Sequence, residues 1–223
     1  MEIGAIIPAF NAGIGIASVI KELKSHVGNK IIVVNDGSTD GTATYALKEN
    51  VIVLSHKHNR GKGAALRTGF SKAIELNWDA VITLDADGQH NPIFVPYFIG
   101  RYKETGADII IGSRMCNLKS MPPHRILSNR ITSKILSWRI GQKIIDSQCG
   151  YRLISIDVLN EIELLTSHYD TESEIIIRSG LAGFRIDFVD IETIYNNEAS
   201  SINLVLDTMR FIKLYWSSFF IKY

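Results

Sequence analysis

Apolar residues in the first half of the chain fall in short runs, separated by longer stretches of mixed polarity. The runs Ile3–Ile7, Lys30–Asn35, Val51–Ser55, Ala80–Asp85 and Asp108–Ile111 are nearly continuous, the pattern of strands buried on both faces of a parallel sheet. Between them, roughly Gly13–Val27, Gly41–Glu49, Gly63–Leu76 and Pro92–Thr105 read as helices. Thr39-Asp40 before Gly41, and Asn91 before Pro92, are helix-start signals, with Pro92 at the first helical position. Alternating strand and helix predicts a doubly wound α/β sheet with right-handed crossovers.

The second half is less regular. Met121-Pro122-Pro123 breaks the chain, and His124–Ile140 then reads as a basic amphipathic helix with Leu127, Ile131, Ile135 and Trp138 at helical spacing. The polar loop Asp146–Arg152 enters a short strand, followed by a helix near Glu172–Leu181 and a strand at Arg185–Ile191. A long amphipathic helix from Ser201 closes the chain, with Val205, Met209, Ile212, Trp216 and Phe219 on one side. With no repeat, low-complexity tract or linker, residues 1–200 and the helix 201–223 are expected to form one unit.

Composition narrows the classes. At 223 residues, 46% hydrophobic and 21% charged, the chain suits one soluble globular domain with a full core. A net charge of +1 gives no global field to recruit nucleic acid. Cys116 and Cys149 form neither a disulfide framework nor a zinc motif. The start lacks a basic n-region with an apolar core, and no stretch reaches the ~18 apolar residues of a membrane span. A reducing, cytoplasmic setting is therefore expected. Charge is local instead: Arg114, Lys119, Arg125, Arg130, Lys134, Arg139 and Lys143 form a block without acids, whereas acids dominate from Asp157 to Glu198. Such a block fits a local anionic partner, phosphate or lipid surface, or else a solvated helix face.

Two acidic segments carry the chemistry. Val33-Val34 runs into Asn35-Asp36-Gly37-Ser38-Thr39-Asp40-Gly41, and Thr83-Leu84 into Asp85-Ala86-Asp87-Gly88-Gln89-His90. Carboxylates at strand C-termini lie where open α/β sheets bind ligands. An Asp-x-Asp pair offers hard anionic oxygens suited to Mg²⁺ or Mn²⁺ carrying a diphosphate. The first segment is not an EF-hand, because Leu47 stands where that loop needs a bidentate Glu. A dinucleotide fold is a rival, from Gly13-Ile14-Gly15 followed by Asp36, but it leaves Asp85 and Asp87 without a purpose. Arg60-Gly61-Lys62-Gly63 opens a helix and permits close anion approach without being a Walker loop. Arg114, Arg125, Arg130 and Arg152 are candidate phosphate clamps. His90 is a candidate support for the metal, and Glu172 and Glu174 face either the site or water.

Ile7-Pro8-Ala9-Phe10-Asn11, Val33–Asp40, Asn59–Ala65, Asp85–His90, Gly112-Ser113-Arg114 and Asp146–Arg152, in that order, resemble the family 2 glycosyltransferases. The likeness is to their polyprenyl (dolichyl)-phosphate hexose synthase-like branch and runs from Ile3 to about Tyr195. It implies a GT-A type fold, a single domain with a mainly parallel central sheet flanked by helices. It also implies that Pro8, Asn11 and Asp36 hold base and ribose of a GDP- or UDP-linked sugar, with Lys62 nearby. Asp85, Asp87 and Gln89 would hold Mg²⁺ or Mn²⁺ and the diphosphate, Arg114 and Arg152 the phosphates, and Asp146 would act as base. Ala12 departs from the Glu many members carry there, and the C-terminal membrane spans common in bacterial relatives are absent.

The expected activity is metal-dependent, inverting hexosyl transfer. With a lipid-phosphate acceptor, already ionised, little base help is needed; with a glycan hydroxyl a base is required, Asp146 first and Glu172 second. The two amphipathic helices fit peripheral contact at the inner face of a membrane, or packing on the sheet. Alternatives are a hydroxyl-acceptor transferase, an NAD-dependent oxidoreductase and a silent sugar-nucleotide binder.

Overall fold

The computed structural model describes residues 1–116, 118, 121–168, 170–192 and 204–221. Lys119, Tyr195, Glu198 and Ser201 lie outside the described residues, as does the side chain of Val205. The strands are β1 (Ile3–Ala9), β2 (Ile31–Asn35), β3 (Ile52–Ser55), β4 (Ala80–Thr83), β5 (Ile109–Ser113), β6 (Arg152–Ser155) and β7 (Ile186–Asp190). The helices are α1 (Gly15–Val27), α2 (Thr42–Lys48), α3 (Lys62–Glu75), α4 (Val95–Thr105), α5 (Pro123–Ile140), α6 (Ile156–Glu161), α7 (Thr171–Leu181) and α8 (Leu204–Ser217). Pro92–Phe94 forms a 3-10 turn before α4, and Asn91 Oδ1 accepts the Ile93 N–H at its start.

One sheet of order β3-β2-β1-β4-β6-β5-β7 carries the fold. β1, β2, β4 and β5 are buried along their whole length, which is why their sequences read as continuous apolar runs. The core closes around them with Ile16, Ile20 and Leu23 of α1, Leu66 and Phe70 of α3, and Phe98 of α4.

The sheet is mainly parallel, as expected, with one antiparallel strand inserted. The fifth strand does not pair with the fourth: β6 lies between β4 and β5 and is antiparallel to both. The register Thr83↔Arg152 brings the segment before β6 to the C-terminal end of β4. Thr83 Oγ1 donates to Gly150 O at 2.8 Å, which fixes that approach. The polar loop of residues 146–151 thereby reaches the same sheet edge as Asp85.

The polarity of α5 is reversed relative to an ordinary surface helix. Asn129, Ser133 and Leu136 are buried, while Leu127, Ile131 and Trp138 are 61%, 51% and 73% exposed. The apolar stripe visible in the sequence faces outward. α8 rests on this helix: Arg139 donates through Nε to Ser218 Oγ at 3.0 Å and stacks over the Phe219 ring, and Leu214 is buried.

Candidate active site

The loops at the C-terminal ends of β1, β2, β3 and β4 hold one another. Asn11, in a left-handed conformation, accepts the Thr39 N–H on Oδ1 and donates its own N–H to Ser38 Oγ. The Gly13 N–H is taken by Asp40 Oδ2 at 2.8 Å and Thr42 Oγ1 at 3.0 Å. These donors serve the neighbouring loop, which removes the basis for the dinucleotide reading of Gly13-Ile14-Gly15.

Asp36 is buried, with every oxygen engaged. Oδ1 accepts from Arg60 N at 2.9 Å and meets His56 Nδ1 at 2.6 Å; Oδ2 accepts from Gly61 N at 2.8 Å. Its carboxylate fixes the turn that opens α3. His56, which the sequence reading passed over, completes this anchor by reaching Thr68 Oγ1 at 2.9 Å. Gly61 is required at this turn: its φ is +93°, and a Cβ would strike Ser167 O and His168.

Lys62, the first residue of α3, lies at the centre of a charge cluster. Its ammonium contacts Asp85 Oδ1 at 2.6 Å and Glu172 Oε1 at 2.8 Å. Burial works against the Lys62 charge, but Asp85 and Glu172 outweigh it and hold the ammonium well above its usual range. Burial would likewise raise the Asp85 carboxyl, but Lys62 brings it down to about 2. His90 is buried, and its Nδ1 accepts the Asp85 backbone N–H at 3.2 Å, as only an unprotonated nitrogen can. Burial lowers it to about 4, so His90 is neutral at physiological pH.

Asp146 is fully buried and surrounded by donors. Arg114 donates through N at 3.1 Å and Nε at 2.8 Å to Oδ2, and through Nη2 at 2.8 Å to Oδ1. Asn129 Nδ2 at 2.8 Å and Gln148 N at 3.2 Å complete Oδ1. Burial opposes the Asp146 charge, yet the Arg114 bonds prevail and depress its pKa. A carboxylate so saturated has no lone pair for a substrate proton. In this geometry Asp146 orients Arg114.

Arg152 is engaged inside the protein. Its side chain is fully buried, and its nitrogens go to the carbonyls of Cys149 at 2.8 Å, Glu172 at 2.7 Å and Ser147 at 2.9 Å. It ties the loop before β6 to the first turn of α7 and does not point a guanidinium at a phosphate. Glu174 is likewise internal, accepting from Leu165, Thr166 and Arg178. Of the two helix acids, Glu172 alone joins the Lys62 cluster. Asn129 and Ser133, four residues apart on α5, were legible as a polar pair away from the apolar stripe, but nothing local marked that side as internal.

The structure therefore brings together Lys62, Asp85, Glu172, Arg114 and His90, beside Asp87 and Gln89. The sequence model of Glycosyl transferase family 2 matches residues 5–163. The chain belongs to this family. The transferase is 33% identical to the UDP-N-acetylglucosamine–dolichyl-phosphate N-acetylglucosaminyltransferase of Methanococcus voltae, over 94% of this chain and 93% of that one. It is 28% identical to the undecaprenyl-phosphate mannosyltransferase of Micrococcus luteus, over 86% of this chain and 83% of that one. Its fold is shared with glucosyl-3-phosphoglycerate synthase of Mycobacterium tuberculosis, with a TM-score of 0.78 at 21% identity, covering 99% of this chain and 81% of that chain. That synthase has been crystallised with UDP, and with Mn²⁺, UDP-glucose and phosphoglyceric acid.

The transferase's own residues fit a divalent metal as an open site. Among the described residues no three His, Cys, Asp or Glu side chains gather as a closed cage. Asp85, ionised and 30% exposed, with exposed Asp87 and half-buried Gln89 following it in the same loop, would supply the one or two carboxylates that Mg²⁺ or Mn²⁺ takes when substrate phosphates complete its shell.

Proposed function

We propose that the transferase moves a hexose, with inversion, from a GDP- or UDP-linked sugar to a polyprenyl phosphate, using Mg²⁺ or Mn²⁺. The reversed polarity of α5 carries the acceptor half of this reading. One helix anchors Asp146 through Asn129 on its inner side and turns Leu127, Ile131 and Trp138 outward, beside exposed Arg130 and Lys134. An apolar face bordered by cations suits the interface of an anionic bilayer, where the phosphate of a polyprenyl chain lies. α8 adds exposed Met209, Ile212, Trp216 and Phe220. No helix among the described residues is long and apolar enough to cross a membrane; in this reading the contact is made by the outward faces of α5 and α8, peripherally at the inner membrane face. The lipid-phosphate substrates in the names of the two relatives agree with this reading.

In the donor half, Pro8 and Asn11, with the turn that Asp36 fixes, border the nucleoside. Asp85, Asp87 and Gln89 hold the metal, which when bound neutralises charge developing on the leaving diphosphate. Arg114 acts on the same charge from the protein side, held in place by Asp146 before the reaction begins, and Lys62 lies nearby on Asp85 and Glu172. Asp146 keeps the Arg114 guanidinium aimed. A phosphate acceptor arrives ionised and requires no proton acceptor, which agrees with a site whose best-placed carboxylate is saturated.

The test is transfer of labelled sugar from UDP-N-acetylglucosamine, UDP-glucose or GDP-mannose to polyprenyl phosphate in anionic vesicles, with Mn²⁺, Mg²⁺ or EDTA. The expected result is a lipid-linked, metal-dependent product from donors of one base. Transfer only to soluble sugar hydroxyls, or transfer undiminished by EDTA, would overturn the proposal.

A further inference from the structure

Among the described residues, Glu172 Oε2 is a buried carboxylate oxygen without a hydrogen-bond partner. Buried acceptors are almost always paired, and an unpaired one calls for a reason. Its sister oxygen lies 2.8 Å from Lys62 Nζ, which also contacts Asp85 Oδ1 at 2.6 Å. Lys62 thus rests on the carboxylate expected to ligate the metal. Close packing reinforces the arrangement: a Cβ at Gly150 would stand 2.8 Å from Lys62 Nζ and 3.5 Å from both Asp85 oxygens. Gly150 and Lys62 thus crowd one side of the Asp85 carboxylate.

We infer that Lys62 is an internal stand-in for the metal, and that Glu172 is the positioning residue that receives Lys62 when the metal–diphosphate claims Asp85. The ammonium already touches Oε1, so a rotation about the end of its side chain delivers it to both Glu172 oxygens and fills the open acceptor. After the exchange each carboxylate still faces a cation, Asp85 the metal and Glu172 the ammonium, and the diphosphate that arrives with the metal offsets the added positive charge. Without nucleotide, Lys62 disfavours metal at Asp85; with the diphosphate present to complete the metal's shell, the balance reverses. Metal and nucleotide therefore bind as one event. This inference rests on the proposed metal-dependent reading.

Mn²⁺ affinity, followed through the free-ion EPR signal, tests it in the absence of nucleotide and again with saturating UDP. Without UDP, Lys62→Met should bind Mn²⁺ about tenfold more tightly than the native chain, within the usual range for coupled sites. With UDP the two affinities should converge. Glu172→Gln should weaken UDP-supported Mn²⁺ binding in the native background and leave it unchanged in the Lys62→Met background. Circular dichroism checks folding, and Lys62→Gln replaces Lys62→Met should the latter fail to fold. Unchanged nucleotide-free affinity on removing Lys62, or equal weakening by Glu172→Gln in both backgrounds, would overturn the exchange. The second result would reduce Glu172 to a general electrostatic contributor. Absence of Mn²⁺ binding in every variant even with UDP would instead remove the metal reading itself, and this inference with it.

Discussion

Replacing Asp146 by Asn separates an anchor from a base. The native carboxylate accepts five hydrogen bonds between 2.8 and 3.2 Å, three of them from Arg114. An amide keeps one acceptor oxygen but turns an NH₂ group towards donors, leaving the Arg114 guanidinium without its counter-charge. Breaking a buried pair in this way costs roughly 3–5 kcal/mol. The Arg114 side chain is 16% exposed, so water recovers part of the loss and about 3 kcal/mol is expected. At ~2–4 °C per kcal/mol for a chain of this length, the melting temperature should fall by roughly 6–12 °C. The pH dependence has a definite sign. The Asp146 pKa is depressed in the folded state, so its stabilisation is complete above the unfolded value of about 3.9 and is lost as pH falls through the folded value. Denaturant titrations of both proteins should therefore show a constant gap from pH 7 to 5 that narrows only below about pH 4. Transfer to polyprenyl phosphate should persist at a reduced level, with weaker donor binding. Native stability combined with a collapsed kcat would refute the anchor and restore the base.

Arg152→Lys should lower stability by roughly 2–4 kcal/mol, since one ammonium cannot reach three carbonyls in the guanidinium plane; a variant of native stability with only donor binding impaired would contradict the internal role. His90 is about 4 in the folded state against 6.5 ordinarily, so stability should be complete above pH 6.5 and decline towards pH 4, by up to roughly 3 kcal/mol. His90→Gln should flatten that decline in urea titrations, and parallel curves for the two proteins would count against it. Trp138→Asp changes a side chain that is 73% exposed; it should alter stability by no more than about 0.5 kcal/mol while reducing flotation with anionic vesicles. Unchanged flotation would remove α5 from the membrane contact.

The sequence by itself determined the strands and helices of the first half, because buried strands are apolar throughout and their ends are marked by Asp, Asn, Gly and Pro. It also placed Asp36, Asp85 and Lys62 at the C-terminal sheet edge, since those residues directly follow strands or open a helix. Only the tertiary structure decided which charges meet. Lys62 and Glu172 are far apart in the chain and pair because β6 inserts antiparallel beside β4 and Arg152 pins the first turn of α7. The same limit explains Asp146 and Arg152, which share one loop and look alike as polar site residues. One is saturated largely by Arg114 and Asn129 and the other by carbonyls, and each set depends on a distant segment, α5 and the end of β5 for Asp146 and Glu172 of α7 for Arg152. For α5, helical periodicity located an apolar stripe without saying which way it faces. Its inner side is polar because Asn129 and Ser133 bond to Asp146 and Ser147, a contact that exists only once the chain has folded back. Periodicity reports how one element divides its polar and apolar faces; hydrogen-bonding partners from distant segments decide which face is buried.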